Sequence, residues 1–125
     1  MKKLLILTTI FSFAVFKLSA QQNSHRIIRI FTADVGNASF INQKSMLVNA
    51  QNLEERDIKV EEIIASKSNQ NLFKKYKANP KGFTFILFGK DGGEKMRSTQ
   101  PVSLEKLYQV IDSMPMRKNE MQNNR

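Results

Sequence analysis

The feature that most constrains the fold is an uncharged run, Phe83-Thr84-Phe85-Ile86-Leu87-Phe88, that is almost entirely apolar. A β-strand directs alternate side chains to opposite faces of its sheet. Apolar residues on both faces therefore predict a strand at the centre of a sheet, with other elements covering each side.

Three further segments have the composition of strands. Arg26–Thr32 and Ile58–Ile64 are rich in β-branched residues, and residues 94–97 follow the glycine-rich turn 89–93. That turn supplies positive φ angles at little cost, so the apolar run and residues 94–97 are predicted to form a hairpin.

Apolar residues at helical spacing predict three helices between and after the strands. Asn37 or Ser39 can cap the first, which is predicted to close at Glu55-Arg56-Asp57, and Ser103 can cap the last. Pro115 is predicted to stop or bend the last helix. The predicted inward-facing residues are Phe40, Ile41, Leu47, Val48 and Leu53 in the first helix, Leu72, Phe73 and Tyr76 in the second, and Leu104, Leu107, Tyr108, Ile111 and Met114 in the last.

The predicted order is therefore β-α-β-α-β-β-α, an α/β domain of two or three layers with a mixed central sheet.

The first twenty residues contain the three parts of a secretory signal peptide in order. Lys2 and Lys3 are positively charged, residues 4–16 are mainly apolar, and Leu18-Ser19-Ala20 has the small residues that a signal peptidase recognises. The apolar part is shorter than the roughly 20 residues that span a bilayer. We therefore expect an exported protein, periplasmic or extracellular, that is cleaved after Ala20 and then keeps no stable membrane anchor. An uncleaved anchor is the alternative.

The domain boundaries that follow are 1–20 for the signal peptide, 21–121 for the folded domain and 122–125 for a polar tail.

Cysteine is absent from the sequence, and this excludes a thiol–disulfide oxidoreductase or a thiol peroxidase.

The signal peptide carries three of the lysines, so the mature net charge is 9 − 3 = +6. This charge lacks the aromatic interleaving of nucleic-acid-binding motifs, which argues against a nucleic acid as the partner. No cofactor or metal is expected, because only copper(I) would suit Met114, Met116 and Met121 and no histidine or cysteine is near them.

The order of elements resembles that of a thioredoxin-like domain. The turn Val35-Gly36-Asn37-Ala38 lies where a thioredoxin has its Cys-x-x-Cys motif, and Phe83 lies where it has a cis-proline. The resemblance implies a thioredoxin-like fold whose redox loop is degenerate, with Val35 and Ala38 in the two cysteine positions.

Three denser motifs resemble one branch of that fold. They are Leu53-Glu54-Glu55-Arg56-Asp57, Phe88-Gly89-Lys90-Asp91-Gly92-Gly93-Glu94-Lys95 and Ile111-Asp112-Ser113-Met114-Pro115-Met116-Arg117. In this order they are similar to a domain of unknown function found in small exported bacterial proteins and in animal extracellular proteins of the Drs, Equarin and sushi-repeat type. That family is peroxiredoxin-related and thioredoxin-like. The resemblance covers residues 26–121 and implies a fold and a compartment, but no reaction.

Four charged residues in the first two motifs are candidates for a binding site. Arg56 and Asp57 lie at a helix-to-strand junction, and they form either an anion or partner site or a structural ion pair that fixes the turn. Lys90 and Asp91 lie at the hairpin tip. Either Lys90 contacts an acidic ligand beside glycine N–H groups, or both residues serve the turn alone.

Arg117 is a further candidate and lies near Asp112 and Glu120 in the sequence. Its guanidinium is either a fork for a ligand carboxylate or part of a salt-bridge network that closes the domain.

Three functional hypotheses follow. The first is a non-redox binding module outside the cytoplasm, for an unknown protein or small ligand, with residues 35–38 and Phe83 on its binding face. The second is an enzyme that uses Arg56, Asp57 and Lys90 together, although no complete catalytic set can be assembled from the sequence. The third is a weak polyanion binder at a cell surface, suggested by the positive charge. The sequence carries no signal for the oligomeric state.

Overall fold

The computed structural model describes residues 23–124, so the predicted signal peptide and its cleavage site lie outside the described residues. Within residues 23–124 the chain forms four strands and four α-helices, and one 3₁₀ turn precedes the second helix. In chain order these elements are β1 Arg26–Thr32, α1 Ala38–Val48, β2 Ile58–Ile64, α2 Gln70–Lys75, β3 Phe83–Phe88, β4 Glu94–Ser98, α3 Leu104–Asp112 and α4 Pro115–Asn123.

One mixed sheet joins the strands in the order β2-β1-β3-β4. Strand β1 runs parallel to β2, while β3 runs antiparallel to both β1 and β4. Every residue of β3 is buried, which confirms the prediction that the apolar run is an interior strand. The α/β class is confirmed, and the arrangement is consistent with a thioredoxin-like domain.

Two apolar cores lie on opposite faces of this sheet. Phe85 and Leu87 of β3 pack in the core that α1 and α3 cover, whereas Ile86 and Phe88 pack in the core that α2 covers. Alternate residues of one strand therefore serve different layers. The sequence predicted a domain of two or three layers, and the structure has three.

Helix α1 is shorter than the sequence predicted. It ends at Val48, and residues 50–57 form turns instead of continuing the helix to Asp57. Asp57 has a φ of 52°, a left-handed conformation that a right-handed helix does not contain. The predicted inward positions Ile41 and Val48 were wrong, because these side chains are 54% and 72% exposed.

The inward position on α1 that the pattern missed is Gln43, which is fully buried. Its side-chain amide donates to the carbonyl of Val102 at 3.0 Å and accepts the N–H of Val102 at 2.6 Å. A buried amide needs such partners, and these two bonds tie α1 to the segment that leads into α3.

Helix α4 is the element that the sequence did not predict. No helix was predicted after Pro115, but a helix begins at this proline and extends to Gln122 and Asn123, which lie in the predicted polar tail 122–125. Proline is favoured at the first helical position, where its missing N–H has no intrahelical partner. The most buried side chain of α4 is Arg117, so its inner face is charged and an apolar pattern could not reveal it. None of the helices among the described residues is both long and apolar enough to cross a membrane.

Candidate functional site

The three sequence motifs meet at one end of the sheet. Arg26 begins β1, and its backbone N–H donates to the carbonyl of Asp57 at 2.8 Å. Ile27 pairs with Phe88, the last residue of β3, so the hairpin turn 89–93 lies at this end as well. Helix α4 joins them through Glu120, which contacts Arg26.

Glu120 receives hydrogen bonds from two cations. Arg26 donates from Nη1 and Nη2 to its two carboxylate oxygens, each at 3.2 Å, and Lys90 Nζ donates to Oε1 at 2.6 Å. Lys90 also donates to Oδ2 of Asp57 at 2.8 Å. Arg26 is only 1% exposed, so this group fixes a buried guanidinium at the start of β1.

A second group of ion pairs continues from the first. Arg56 donates from Nε and Nη2 to the two oxygens of Asp112, at 3.0 and 2.9 Å, in a bidentate pair. Arg117 contacts the same carboxylate at 3.3 Å and donates to Glu55 Oε1 at 2.9 Å. The guanidinium carbon of Arg56 lies 4.0 Å from the ring centroid of Tyr108, close enough for a cation–π contact.

We call these eight side chains the ion-pair cluster. It balances four cations against four carboxylates: Arg26, Arg56, Lys90 and Arg117 against Glu55, Asp57, Asp112 and Glu120. Arg56, Asp57, Lys90 and Arg117 were predicted as candidates, and the structure brings all four into the cluster. Arg56 and Asp57 do not pair with each other; each forms its ion pair with another element.

The cluster favours the charged forms of four of its members. A hydrogen bond from Lys90 lowers the pKa of Asp57, and one from Arg56 lowers the pKa of Asp112. Burial alone would lower the pKa of Lys90 and raise that of Glu120, but their hydrogen bonds outweigh burial and shift both pKa values the other way. These shifts move the pKa values of these four groups further from neutral pH, whereas a general acid or base works best with a pKa near the working pH.

Asp91, the remaining candidate, lies outside the cluster. Its Oδ1 accepts the N–H of Gly93 at 2.9 Å, and its Oδ2 pairs with Lys95 at 2.8 Å. Gly92 has a φ of +81°, a conformation that favours glycine. The contacts of Asp91 are therefore those of the turn-chemistry interpretation.

The turn of residues 35–38, predicted to be a degenerate redox loop, lies at the opposite end of β1. This strand has seven residues and is about 20 Å long. The N–H of Ala33 donates to the carbonyl of Gly82 at 2.9 Å, so the loop and the start of β3 are neighbours there. Val35 is 63% exposed, whereas Phe83 is only 5% exposed. Asn37 caps α1 by accepting the N–H of Phe40 at 3.1 Å, one of the two caps that the sequence allowed.

A cleft of about 440 Å³ opens beside the ion-pair cluster. Its charged lining residues are Arg26, Lys90, Asp91 and Lys95, and its apolar lining includes Val110, Met114 and Met116. Among residues 23–124 no group of three histidine or acidic side chains is arranged to hold a metal ion.

Arg26 is the cation of this site that sequence reasoning missed. It was assigned only to a strand, although it shares a face of β1 with Ile28 and Ile30, both fully buried. The alternation of Arg26, Ile28 and Ile30 along the strand could have revealed it. A charged side chain on the core-facing side of a strand needs a buried partner.

Comparison with known proteins places the chain without assigning it an activity. No curated protein matches it. A solved structure of a malarial protein aligns with a TM-score of 0.57 and 18% identity, covering 70% of this chain and 94% of that one. At this identity the likeness shows the fold alone. The family model DUF4174, described as a domain of unknown function, matches residues 17–120. Because this match spans most of the sequence, the chain belongs to the DUF4174 family.

Proposed function

We propose that this protein is an exported, non-redox binding module with a thioredoxin-like fold. The observation that carries the proposal is the meeting of all three motifs in a charge-balanced cluster beside an open cleft. With no cysteine in the sequence, the fold has no thiol with which to act. With thiol chemistry excluded, charged side chains beside an open cleft favour binding as the function.

The shifted pKa values disfavour the enzymatic alternative. Asp57 and Lys90 are in contact, but each is held in its charged form, so neither takes up nor releases a proton readily near neutral pH. Arg56 is committed to a bidentate pair with Asp112. A reaction would have to break these pairs before it could use the groups.

The cleft is a better binding surface than the degenerate redox loop. Its volume lies within the range of about 300–1,000 Å³ that is usual for small-ligand sites. Met114 and Met116 offer an adaptable apolar wall, since methionine side chains are flexible and polarizable. The redox-loop hypothesis placed residues 35–38 and Phe83 on the binding face at the other end of the sheet. Phe83 is buried, so it offers almost no surface to a ligand.

Binding can be tested with charge substitutions at the two ends of the sheet. Met116→Glu places an acid in the cleft, and Val35→Glu places one on the exposed loop. Gln70→Glu, at the start of α2 on the other face of the sheet, is the matched control. Each variant would be purified from the exported fraction, and retained molecules identified by native mass spectrometry.

We expect Met116→Glu to lose molecules that the wild type and Gln70→Glu retain, and Val35→Glu to keep them. If all four proteins carry the same set of molecules, or none, the binding proposal fails. If only Val35→Glu loses them, the binding face is the redox-loop end.

Export rests on the sequence of the first twenty residues and has its own test. Leu7→Arg interrupts the apolar part of the signal peptide and should retain the protein in the cytoplasm with its leader attached. The wild type should be recovered outside the cytoplasm with Gln21 as its first residue. Recovery of both proteins in the same fraction at the same mass would refute export.

A weak polyanion binder remains the second candidate, because the excess positive charge is concentrated at α2. Five exposed lysines in residues 67–81 form no ion pair within the described part of the chain, and no acidic residue lies among them: Lys67, Lys74, Lys75, Lys77 and Lys81. Retention on heparin should fall as salt rises, and reversing Lys74 and Lys75 to Glu should lower it further. Retention that does not depend on salt would exclude this function.

A further inference from the structure

The guanidinium of Arg26 has hydrogen-bonding capacity that the fold does not use. An arginine side chain carries five N–H groups. Nη1 donates to the carbonyl of Arg56 at 2.9 Å and to Glu120, and Nη2 donates once, also to Glu120. Nε is buried and has no partner among the described residues.

The two remaining N–H groups lie on one edge of the guanidinium. They are Nε–H and the second Nη2–H, which together form the side-on fork that binds a carboxylate in a bidentate manner. An unpartnered donor at a residue only 1% exposed costs free energy that a bound acceptor would recover.

The start of α4 lines the same cleft as Arg26. The lining residues from this helix are Pro115 and Met116. Met114 occupies the N-cap position of this nine-residue helix and gives no side-chain cap. Pro115 has no N–H, so the N–H groups of Met116 and Arg117 are the ones that lack the usual side-chain acceptor. A helix N-terminus favours a negative group.

The remaining walls determine what kind of anion fits. Val110, Met114 and Met116 are apolar and would cover a hydrocarbon body. The ion-pair cluster is already charge-balanced, so no cation matches a ligand's negative charge, and a ligand with one such charge costs less to bury than a ligand with two. A single charge with an apolar body suits the cleft better than a phosphate or a sulfate.

We propose that the cleft binds a small organic carboxylate with an apolar body, held by the free edge of Arg26 and the first turn of α4. The inference rests on the proposed binding function and names its ligand class. Because Nε is covered in the structure, binding requires neighbouring side chains to move, and Met114 and Met116 are the flexible groups in the wall.

The test titrates the exported protein with octanoate and follows the Nε–H signal of Arg26 by ¹⁵N NMR, with calorimetry to measure affinity. Octanoate should shift that signal and bind at least about tenfold more tightly than octanol, which lacks the carboxylate. Met116→Glu should weaken octanoate binding by about tenfold or more. It should not unfold α4, since an acid in the first turn favours a helix.

Gln70→Glu adds the same charge at the start of a helix on the other face of the sheet, and it should change octanoate affinity by less than about twofold. Equal binding of octanoate and octanol, or an unmoved Arg26 Nε–H signal, would overturn the inference. So would binding of a peptide with a free C-terminal leucine carboxylate when octanoate does not bind, because the ligand would then be a protein terminus. A further outcome is that octanoate fails to bind while Met116→Glu still loses the molecules that the wild type retains. In that case the ligand class is wrong and the binding function stands.

Discussion

Glu120→Gln tests whether the ion-pair cluster stabilises the fold through charge. The substitution keeps the shape of the side chain but removes the carboxylate that pairs with Arg26 and Lys90. Lys90 keeps Asp57, whereas Arg26 loses its only acidic partner within the described residues. Breaking a buried ion pair costs about 3–5 kcal/mol.

The expected loss here is smaller, about 2–3 kcal/mol, because Glu120 is 24% exposed and the amide oxygen can still accept one hydrogen bond from Arg26. For a domain of this size, that corresponds to a fall in melting temperature of about 10–20 °C. Urea unfolding measured at about pH 7 should show the midpoint shift at an unchanged slope.

The difference in the free energy of unfolding between the wild type and Glu120→Gln should depend on pH, and this dependence identifies its cause. The pKa of Glu120 is lowered below 4.5 in the folded protein, so its stabilising contribution is present above that pH and is lost as the pH falls through the folded-state pKa. The wild type should therefore approach the variant in stability as the pH falls below about 4.5. The lowered pKa values of Asp57 and Asp112 act in both proteins and largely cancel in the comparison.

Glu105→Gln is the matched control, since Glu105 is an exposed residue in the first turn of α3 and forms no ion pair in the described chain. This substitution should lower the free energy of unfolding by no more than about 0.5 kcal/mol. Equal losses for the two variants at neutral pH, or a Glu120→Gln difference that persists unchanged in acid, would refute the charge argument.

Three further predictions concern the backbone and the core, and urea unfolding measures each. Gln43→Leu leaves both backbone groups of Val102 without partners and should cost about 2–4 kcal/mol; a loss below about 1 kcal/mol would show that water replaces the amide. Asn37→Ala removes the cap of α1 and should cost about 1 kcal/mol, and no change would mean that the cap is not used in solution. Lys77→Gly should stabilise by about 0.5 kcal/mol because its φ is 53°, whereas Asp57→Gly, at 52°, should destabilise through the lost pair with Lys90; the same sign for both would contradict this account.

Strands were predictable from the sequence because their signal is local. Burial on both faces of β3 requires apolar residues at successive positions, and the run Phe83–Phe88 shows this directly. Arg26–Thr32 was likewise predicted with the bounds that the structure has. The end of α1 was not predictable: the helix ends at Val48, and the turns that follow it carry Arg56 and Asp57 into a cluster whose other members come mostly from distant parts of the chain.

The candidate site was predictable as a set of residues but not as a set of contacts. Arg56, Lys90 and Arg117 were selected from motifs, yet their partners depend on tertiary packing. Lys90 meets Glu120 across 30 residues of sequence, and Arg56 meets Asp112 across 56. Spacing along the chain carries no information about such pairs, and α4, which supplies Glu120, has no apolar stripe that would have revealed it.

The charged face of α4 also explains why the motifs are rich in charge while the cluster is neutral. A helix whose inner face carries Arg117 and Glu120 cannot dock on the domain through apolar burial alone. It docks through ion pairs, and each buried charge must then be matched. The charged motif residues of the cluster are committed to these ion pairs, whereas one edge of Arg26, a residue outside the motifs, has no partner among the described residues. The search for a ligand therefore narrows to groups that the docking of α4 leaves free, namely that edge and the walls of the adjoining cleft.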